Sequence, residues 1–133
     1  MKITTLLRGN MSRPQFSKKY GIPVRTLEDW DAGKSKAPDY VVNLLARAVY
    51  EDITGCHVWF VAFNCTDGSK GTPFREESIM ISTKNILEAL RACGRSEDKN
   101  YHGELWVCTQ NPEDEDAENY EYERIEWEEI DRG

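Results

Sequence analysis

Hydrophobic residues before residue 50 recur at intervals of three and four, which is the period of an amphipathic helix. The clearest stripe lies in the segment 38–50 and consists of Val41, Leu44, Leu45 and Ala48. Pro38 is expected to open this helix, because proline is well tolerated in a first turn. The pattern predicts that this stripe is buried.

Two shorter helices are predicted upstream. The segment 12–15, Ser-Arg-Pro-Gln, has the form of a capping box and indicates a helix start. Gly21 supplies a turn, and a second short helix is expected to end near Gly33. The residues expected to be buried around that second helix are Ile22, Leu27 and Trp30.

Beyond these helices the apolar residues form short runs bounded by turn residues, which is typical of strands. The run 56–65 is rich in β-branched and aromatic residues and predicts a strand buried on both faces. Two further strands are predicted at 78–82 and 104–110. A fourth is expected in 119–130, where a change of phase at Arg124 indicates a bulge or a strand end. The aromatic residues expected in the core are Trp59, Phe60, Phe63, Trp106 and Trp127.

Between the second and third strands the spacing is again helical. Thr83 is expected to cap this helix and Gly94 to end it. Its predicted apolar face consists of Ile86, Leu87, Leu90 and Cys93. The order β-β-α-β-β indicates a small mixed sheet with the helix across one face. We therefore predict an α+β fold, with an all-α unit in residues 1–52 and a small mixed α/β domain in residues 56–133 that ends in an acidic segment.

Charge divides the chain in the same way. Residues 1–50 hold nine Lys or Arg and four Asp or Glu, a net charge of +5, and the remainder holds eight and twenty, a net charge of −12. A split this sharp in a chain of net charge −7 indicates two surfaces with different partners. The basic surface can approach nucleic acid, and the acidic surface would be repelled by it.

Several other classes of protein are disfavoured. No run approaches the roughly 18 apolar residues of a membrane span, and the start MKITTLLRGN has no signal-peptide pattern. We therefore expect no membrane association and a cytoplasmic location. The four cysteines lie in apolar stretches, where free cysteine behaves as a small hydrophobe: Cys56, Cys65, Cys93 and Cys108. No metal and no cofactor are expected, because neither these cysteines nor the two histidines have the spacing of a metal site.

No motif indicates catalysis. The chain has no phosphate-binding loop, no dinucleotide-binding glycine pattern and no nucleophile with a placed base. His57 is expected in the core or at a sheet edge, and His102 is expected in a turn. The protein is therefore predicted not to be an enzyme.

The capping box, the turn glycine and the second short helix belong to one continuous segment. Residues 12–38 read SRPQFSKKYGIPVRTLEDWDAGKSKAP, in which Trp30 precedes the acid Asp31. This segment resembles the helix-turn-helix of the phage Cro/repressor family, also called the xenobiotic-response-element type. The positions that match the family pattern are Phe16, Ser17, Gly21, Ile22, Leu27, Trp30, Asp31, Gly33, Lys34 and Pro38. Pro23 stands where the family usually has a Ser or Thr helix cap.

The resemblance implies that the second helix reads the major groove of DNA. The outward face of that helix carries Arg25, Glu28, Asp29 and Ala32. On this interpretation Arg25 pairs with guanine, and Glu28 or Asp29 accepts a hydrogen bond from the cytosine amine. Val24 and Thr26 would touch a thymine methyl group. The side chains expected to contact the DNA backbone are Arg13, Lys18, Lys19, Lys34 and Lys36.

The same face also allows an interpretation without DNA. Arg25 can pair with Asp29 and Glu28 within the helix, an arrangement worth only about 0.2–0.5 kcal/mol per pair. The face would then be a solvated surface, and the helix-turn-helix would serve only as scaffold.

The acidic segment likewise supports two interpretations. Residues 111–131 contain eleven acids and one arginine, and apolar and aromatic residues alternate with them: Tyr120, Tyr122, Ile125, Trp127 and Ile130. One interpretation is a charged edge strand that resists aggregation. The other is a surface that mimics the charge of nucleic acid and docks in the basic groove of a protein partner. The residues predicted to bind such a partner are Glu121, Glu123, Glu126, Trp127, Glu128 and Glu129.

Our first hypothesis is a sequence-specific DNA-binding protein, a repressor-like transcription regulator of a phage or mobile element. A homodimer would place two reading helices about one DNA turn apart. The alternative hypothesis follows from the outline of the chain, which resembles phage anti-CRISPR proteins that contain a helix-turn-helix. That resemblance implies an autoregulatory helix-turn-helix followed by a domain that inhibits an RNA-guided nuclease.

Overall fold

The computed structural model describes residues 1–66, 79–94, 101–118, 120–128 and 130 of the chain. Its elements, in chain order, are α1 (Ile3–Arg8), α2 (Arg13–Tyr20), α3 (Val24–Ala32), α4 (Asp39–Thr54), β1 (Trp59–Thr66), β2 (Ile79–Thr83), α5 (Ile86–Cys93), β3 (Tyr101–Cys108) and β4 (Tyr122–Ile125). The predicted α+β class and the predicted order β-β-α-β-β are confirmed. Within the described ranges, no helix combines the length and the apolar character needed to span a bilayer.

Helix α4 follows its N-cap Pro38, as predicted, but it buries a different stripe from the one that its sequence predicts. The buried residues are Val42, Leu45, Ala46 and Val49, the predicted spacing moved by one position, so that Leu45 is buried as predicted but Leu44 is 59% exposed. Both sets have helical spacing, so periodicity alone does not separate them. The observed rotation brings Asn43 to α5, where its Oδ1 accepts a hydrogen bond from the backbone N–H of Leu87 at 3.1 Å.

The four strands form one antiparallel sheet in the order β2-β1-β3-β4, so the predicted mixed sheet is wrong. Strand β1 lies in the interior of the sheet and is buried on both faces, as predicted, by Phe60, Val61, Ala62 and Phe63. Strand β4 ends at Ile125, so the change of phase at Arg124 marks a strand end. Trp59 and Trp106, which were expected in the core, are only half-buried.

Helix α5 lies across one face of the sheet and buries Ile86, Ala89, Leu90 and Cys93. Thr83 does not cap this helix, contrary to the prediction. It is the last residue of β2, and its Oγ1 accepts a hydrogen bond from the backbone N–H of Asn85 at 3.1 Å, before the helix begins. The hydrogen bond from the backbone N–H of Leu87, in the first turn of α5, is accepted by the Asn43 side chain of α4. Helix α4 therefore supplies part of the cap that the local sequence of α5 lacks.

The close approach of α5 to β3 depends on Gly103. A Cβ atom at this position would lie 2.5 Å from the carbonyl oxygen of Cys93 and 2.6 Å from its Cα. The Gly103 carbonyl also accepts a hydrogen bond from the Trp127 indole N–H at 2.9 Å. A strand residue without a side chain therefore lets the end of the helix lie directly on the sheet.

One buried cluster continues from the helices into the sheet, from Leu7 and Phe16 to Leu105 and Ile130. At the junction the ring of Tyr50 in α4 meets the ring of Phe60 edge to face, with centroids 5.8 Å apart. The predicted boundary between residues 52 and 56 therefore coincides with the end of α4 rather than with a break in the core.

The phenol of Tyr50 makes the stability of this junction sensitive to alkali. The pKa of Tyr50 is raised to about 12, mainly by burial of the phenol and to a smaller extent by the negative charge of Glu123. Because the folded pKa lies above the unfolded value of 10.0, the stability contributed by this group is present at neutral pH and is lost as the pH rises from 10 toward 12.

Tyr50→Phe keeps the ring against Phe60 and removes the ionising group. We expect it to reduce the loss of unfolding free energy between pH 8 and pH 11 by about 1 kcal/mol. Urea denaturation of both proteins at the two pH values measures this difference. Equal losses in the two proteins would contradict the prediction, and similar stabilities at pH 8 would show that the substitution leaves the fold intact.

Three expectations about Cys and His residues are wrong. Cys56 is exposed, and the His57 side chain is 89% exposed with Nδ1 3.5 Å from a Glu51 carboxylate oxygen, so neither belongs to the core. His102 is a residue of β3 rather than of a turn. Cys93 and Cys108 are buried as expected, and burial raises the pKa of the Cys108 thiol to about 12.

Candidate nucleic-acid interface

Helices α2 and α3 are joined by three residues that turn the chain sharply. Gly21 ends α2 in the left-handed conformation, with φ of 74°. The capping box predicted at the start of α2 is present: Ser12 Oγ accepts a hydrogen bond from the backbone N–H of Gln15, and Gln15 Oε1 accepts one from the backbone N–H of Ser12. Leu27 and Trp30 of α3 are buried, as predicted, and Ile22 is half-buried. Pro23 is the N-cap of α3 and supplies no side-chain hydrogen bond.

Asp31 at the end of α3 joins three helices. Its carboxylate accepts hydrogen bonds from Thr5 Oγ1 at 3.0 Å, from Arg8 at 3.0 Å and from Arg13 Nε at 2.8 Å. These donors come from α1 and α2, so one carboxylate fixes both helices against α3. The Asp31 side chain is 15% exposed, which strengthens its pairing with the two guanidinium groups.

The Asp31 contacts reduce the set of predicted phosphate contacts. Arg13 was expected to contact the DNA backbone, but its Nε donates to Asp31 and its side chain is only 42% exposed. Lys19 lies 3.9 Å from the carboxylate of Asp52, which also accepts a hydrogen bond from the Tyr20 hydroxyl at 2.9 Å. Burial and this bond raise the pKa of Tyr20 to about 12.

Three of the predicted phosphate contacts remain available. Lys18 of α2, and Lys34 and Lys36 in the loop after α3, are exposed and form no ion pair with any residue that the structure describes. They lie on both sides of α3 in the sequence, near the end of α2 and just beyond Gly33. Each can therefore neutralise a phosphate without first breaking an existing pair.

The outward face of α3 is open to solvent. The Arg25 side chain is 80% exposed, and its Nε lies 3.6 Å from Oδ1 of Asp29, one helical turn further on. Glu28 and Ala32 are exposed, and Val24 and Thr26 are half-buried. The pair formed by Arg25 and Asp29 matches the interpretation without DNA, but at about 0.2–0.5 kcal/mol it is weak enough for a base edge to replace it.

The predicted partner-binding residues that the structure describes are four exposed glutamates and one buried tryptophan. Glu121, Glu123, Glu126 and Glu128 are exposed, and Glu129 lies outside the described residues. Arg124 lies 3.8 Å from Glu126 and 3.0 Å from Glu128, so two of these carboxylates are paired. Trp127 is only 8% exposed and donates its indole N–H to the Gly103 carbonyl, so its predicted place in the core is confirmed and its predicted role as an exposed anchor is wrong.

The acids before β4 are held in an ordered turn. Asn111 Oδ1 accepts hydrogen bonds from Ser82 Oγ at 2.7 Å and from the backbone N–H of Glu113 at 3.0 Å. Asp114 accepts from the backbone N–H of Asp116 at 3.0 Å. Four successive carboxylates on this turn are exposed, from Glu113 to Asp116. These four acids were not among the residues predicted to bind a partner.

The described part of the chain is thus an α+β protein with a basic helical surface and an acidic surface beside its sheet. Comparisons with protein-family models, with curated proteins and with solved structures found no match for the chain. Over the described ranges, no three His, Cys, Asp or Glu side chains lie close enough together to hold a metal ion.

Proposed function

We propose that the protein binds DNA in a sequence-specific manner and acts as a repressor-like transcription regulator of a phage or mobile element. The observation that carries this proposal is the open outward face of α3, a helix flanked in the sequence by three exposed lysines without ion-pair partners among the described residues. Such a face can enter the major groove while the lysines contact the phosphates on either side.

Each residue has a distinct role in this proposal. Arg25 exchanges its weak contact with Asp29 for a guanine edge, and Glu28 accepts a hydrogen bond from the cytosine amine. Lys18, Lys34 and Lys36 supply affinity that depends on salt rather than on sequence. A homodimer provides a second reading helix for a second half-site, about one DNA turn from the first.

Binding of the intact protein to the DNA upstream of its own gene, compared with a scrambled duplex over a salt series, tests the proposal. Lys18→Ala should weaken binding to both duplexes equally and reduce the magnitude of the salt slope by about 1. Arg25→Ala should cost about 1–3 kcal/mol on the natural DNA and much less on the scrambled duplex.

The two variants control for each other, because each removes one exposed cation from the same surface. If both weakened the two duplexes equally, Arg25 would be a phosphate contact and the reading-helix role would be wrong. Absence of binding at low salt would overturn the proposal as a whole.

A second candidate function is inhibition of a protein that handles nucleic acid, as in anti-CRISPR proteins. The ordered, exposed carboxylates from Glu113 to Asp116 favour it, because they can occupy a basic groove without the cost of ordering a flexible tail. Neutralising these four acids would abolish such inhibition and leave DNA binding intact. Measuring both activities of this variant therefore separates the two functions.

A further inference from the structure

A cavity of about 490 Å³ lies between α1, the loop from α3 to α4, helix α4 and helix α5. Its volume falls within the range of roughly 300–1,000 Å³ that is usual for small-molecule sites. Its walls come from both sides of the predicted domain boundary: Trp30 and Val42 from the helical part, and Leu87, Leu90 and Ile130 from the remainder.

Part of the lining of this cavity is apolar. Trp30, Val42 and Leu90 are buried in the core and border the cavity, and half-buried Leu87 also lines it. An aromatic or branched aliphatic group placed here would be removed from water against side chains that are already held in position.

Basic side chains also line the cavity. These are Lys2, Lys34, Lys36 and Arg91, and Asp39 is the one acid among the described lining residues. Asp39 already accepts a hydrogen bond from Arg91 at 3.3 Å, so its charge is matched within the wall. Lys34 and Lys36 form no ion pair with any described residue, and an excess of positive charge therefore faces the cavity in a chain of net charge −7.

We propose that this cavity binds a small organic anion with an apolar body, such as an aryl or branched alkyl carboxylate, sulfonate or phosphate. The anionic group lies against Lys34 and Lys36, and the apolar body lies against Trp30 and Leu87. An inorganic anion would leave the apolar wall empty, and a neutral apolar molecule would leave the lysines unmatched. The chemistry of the cavity therefore selects an amphipathic anion, independently of whether the protein binds DNA.

Fluorescence titration of the intact protein with 8-anilino-1-naphthalenesulfonate tests the site, because this probe has a sulfonate on an aromatic body. We expect saturable binding of one molecule per chain. Lys36→Glu should weaken it by about tenfold, since the substitution replaces attraction at the rim with repulsion. The matched control is Lys18→Glu, the same change at an exposed lysine outside the cavity, which should leave the affinity within about twofold.

The uncharged analogue N-phenyl-1-naphthylamine provides the second control. It should bind at least about tenfold more weakly than the sulfonate, because it lacks the group that the lysines recognise. Absence of saturable binding, equal weakening by Lys36→Glu and Lys18→Glu, or equal affinity for the uncharged analogue would each overturn the proposal. The titration contains no DNA, so its outcome is separate from that of the DNA-binding experiment.

Discussion

Gly103→Ala is expected to lower the free energy of unfolding by about 3 kcal/mol, the upper part of the range for inserting atoms into a well-packed core. The added Cβ would lie 2.5 Å from the Cys93 carbonyl oxygen and 2.9 Å from its carbonyl carbon, and these are backbone atoms that cannot rotate away. Helix α5 or strand β3 must therefore shift. A shift of β3 would also strain the hydrogen bond from Trp127 to the Gly103 carbonyl.

Gly33→Ala is the matched control for this prediction. Gly33 has φ of 75° and nothing within 4 Å of its would-be Cβ, so alanine there incurs only the conformational penalty of about 1 kcal/mol. Urea denaturation of the three proteins measures both losses from the midpoints. Similar losses for the two variants would show that α5 does not lie as close to β3 as described.

Asp31→Asn is expected to lower the free energy of unfolding by about 2 kcal/mol, between the values for exposed and for buried ion pairs. The substitution keeps the size of the side chain but removes the charge that two guanidinium groups share. Most of this loss is expected to come from Arg8, because its side chain is only 18% exposed and its guanidinium group would be left without a charged partner at a site that water reaches poorly.

Asp29→Asn is the control, two residues earlier in the same helix and with the same change of chemistry. Among the described residues, its carboxylate pairs only with the highly exposed Arg25, so the expected loss is at most about 0.5 kcal/mol. Thermal or chemical denaturation of both variants gives the comparison. If Asp31→Asn were no more harmful than Asp29→Asn, the three-helix junction would have no energetic significance.

Features that depend on neighbouring residues could be predicted from the sequence. The capping box of α2, the turn at Gly21 and the buried strand β1 each depend on residue types within a few positions of one another. The buried stripe of α4 could not be predicted correctly, because two sets of apolar residues share helical spacing and only the tertiary packing of the helix separates them.

Contacts between segments that are distant in the sequence could not be predicted from local sequence patterns. The donors to Asp31 include Thr5 and Arg8, which are 26 and 23 residues away in the sequence. Trp127 could equally have been an exposed anchor or a core residue, and its bond to Gly103, 24 residues away, places it in the core. The cavity is a similar case, because its basic and apolar walls come from segments between Lys2 and Ile130.

The continuous core has a consequence for how the protein meets other charged molecules. Because the buried cluster passes from the helices into the sheet, the basic helical part of the described chain and the acidic residues beside the sheet are not separated by a flexible linker. The molecule therefore carries a permanent electric dipole. A polyanion approaching it exerts a torque that turns the helical end forward before contact, and a polycation turns the opposite end forward, with an effect that weakens as salt is added.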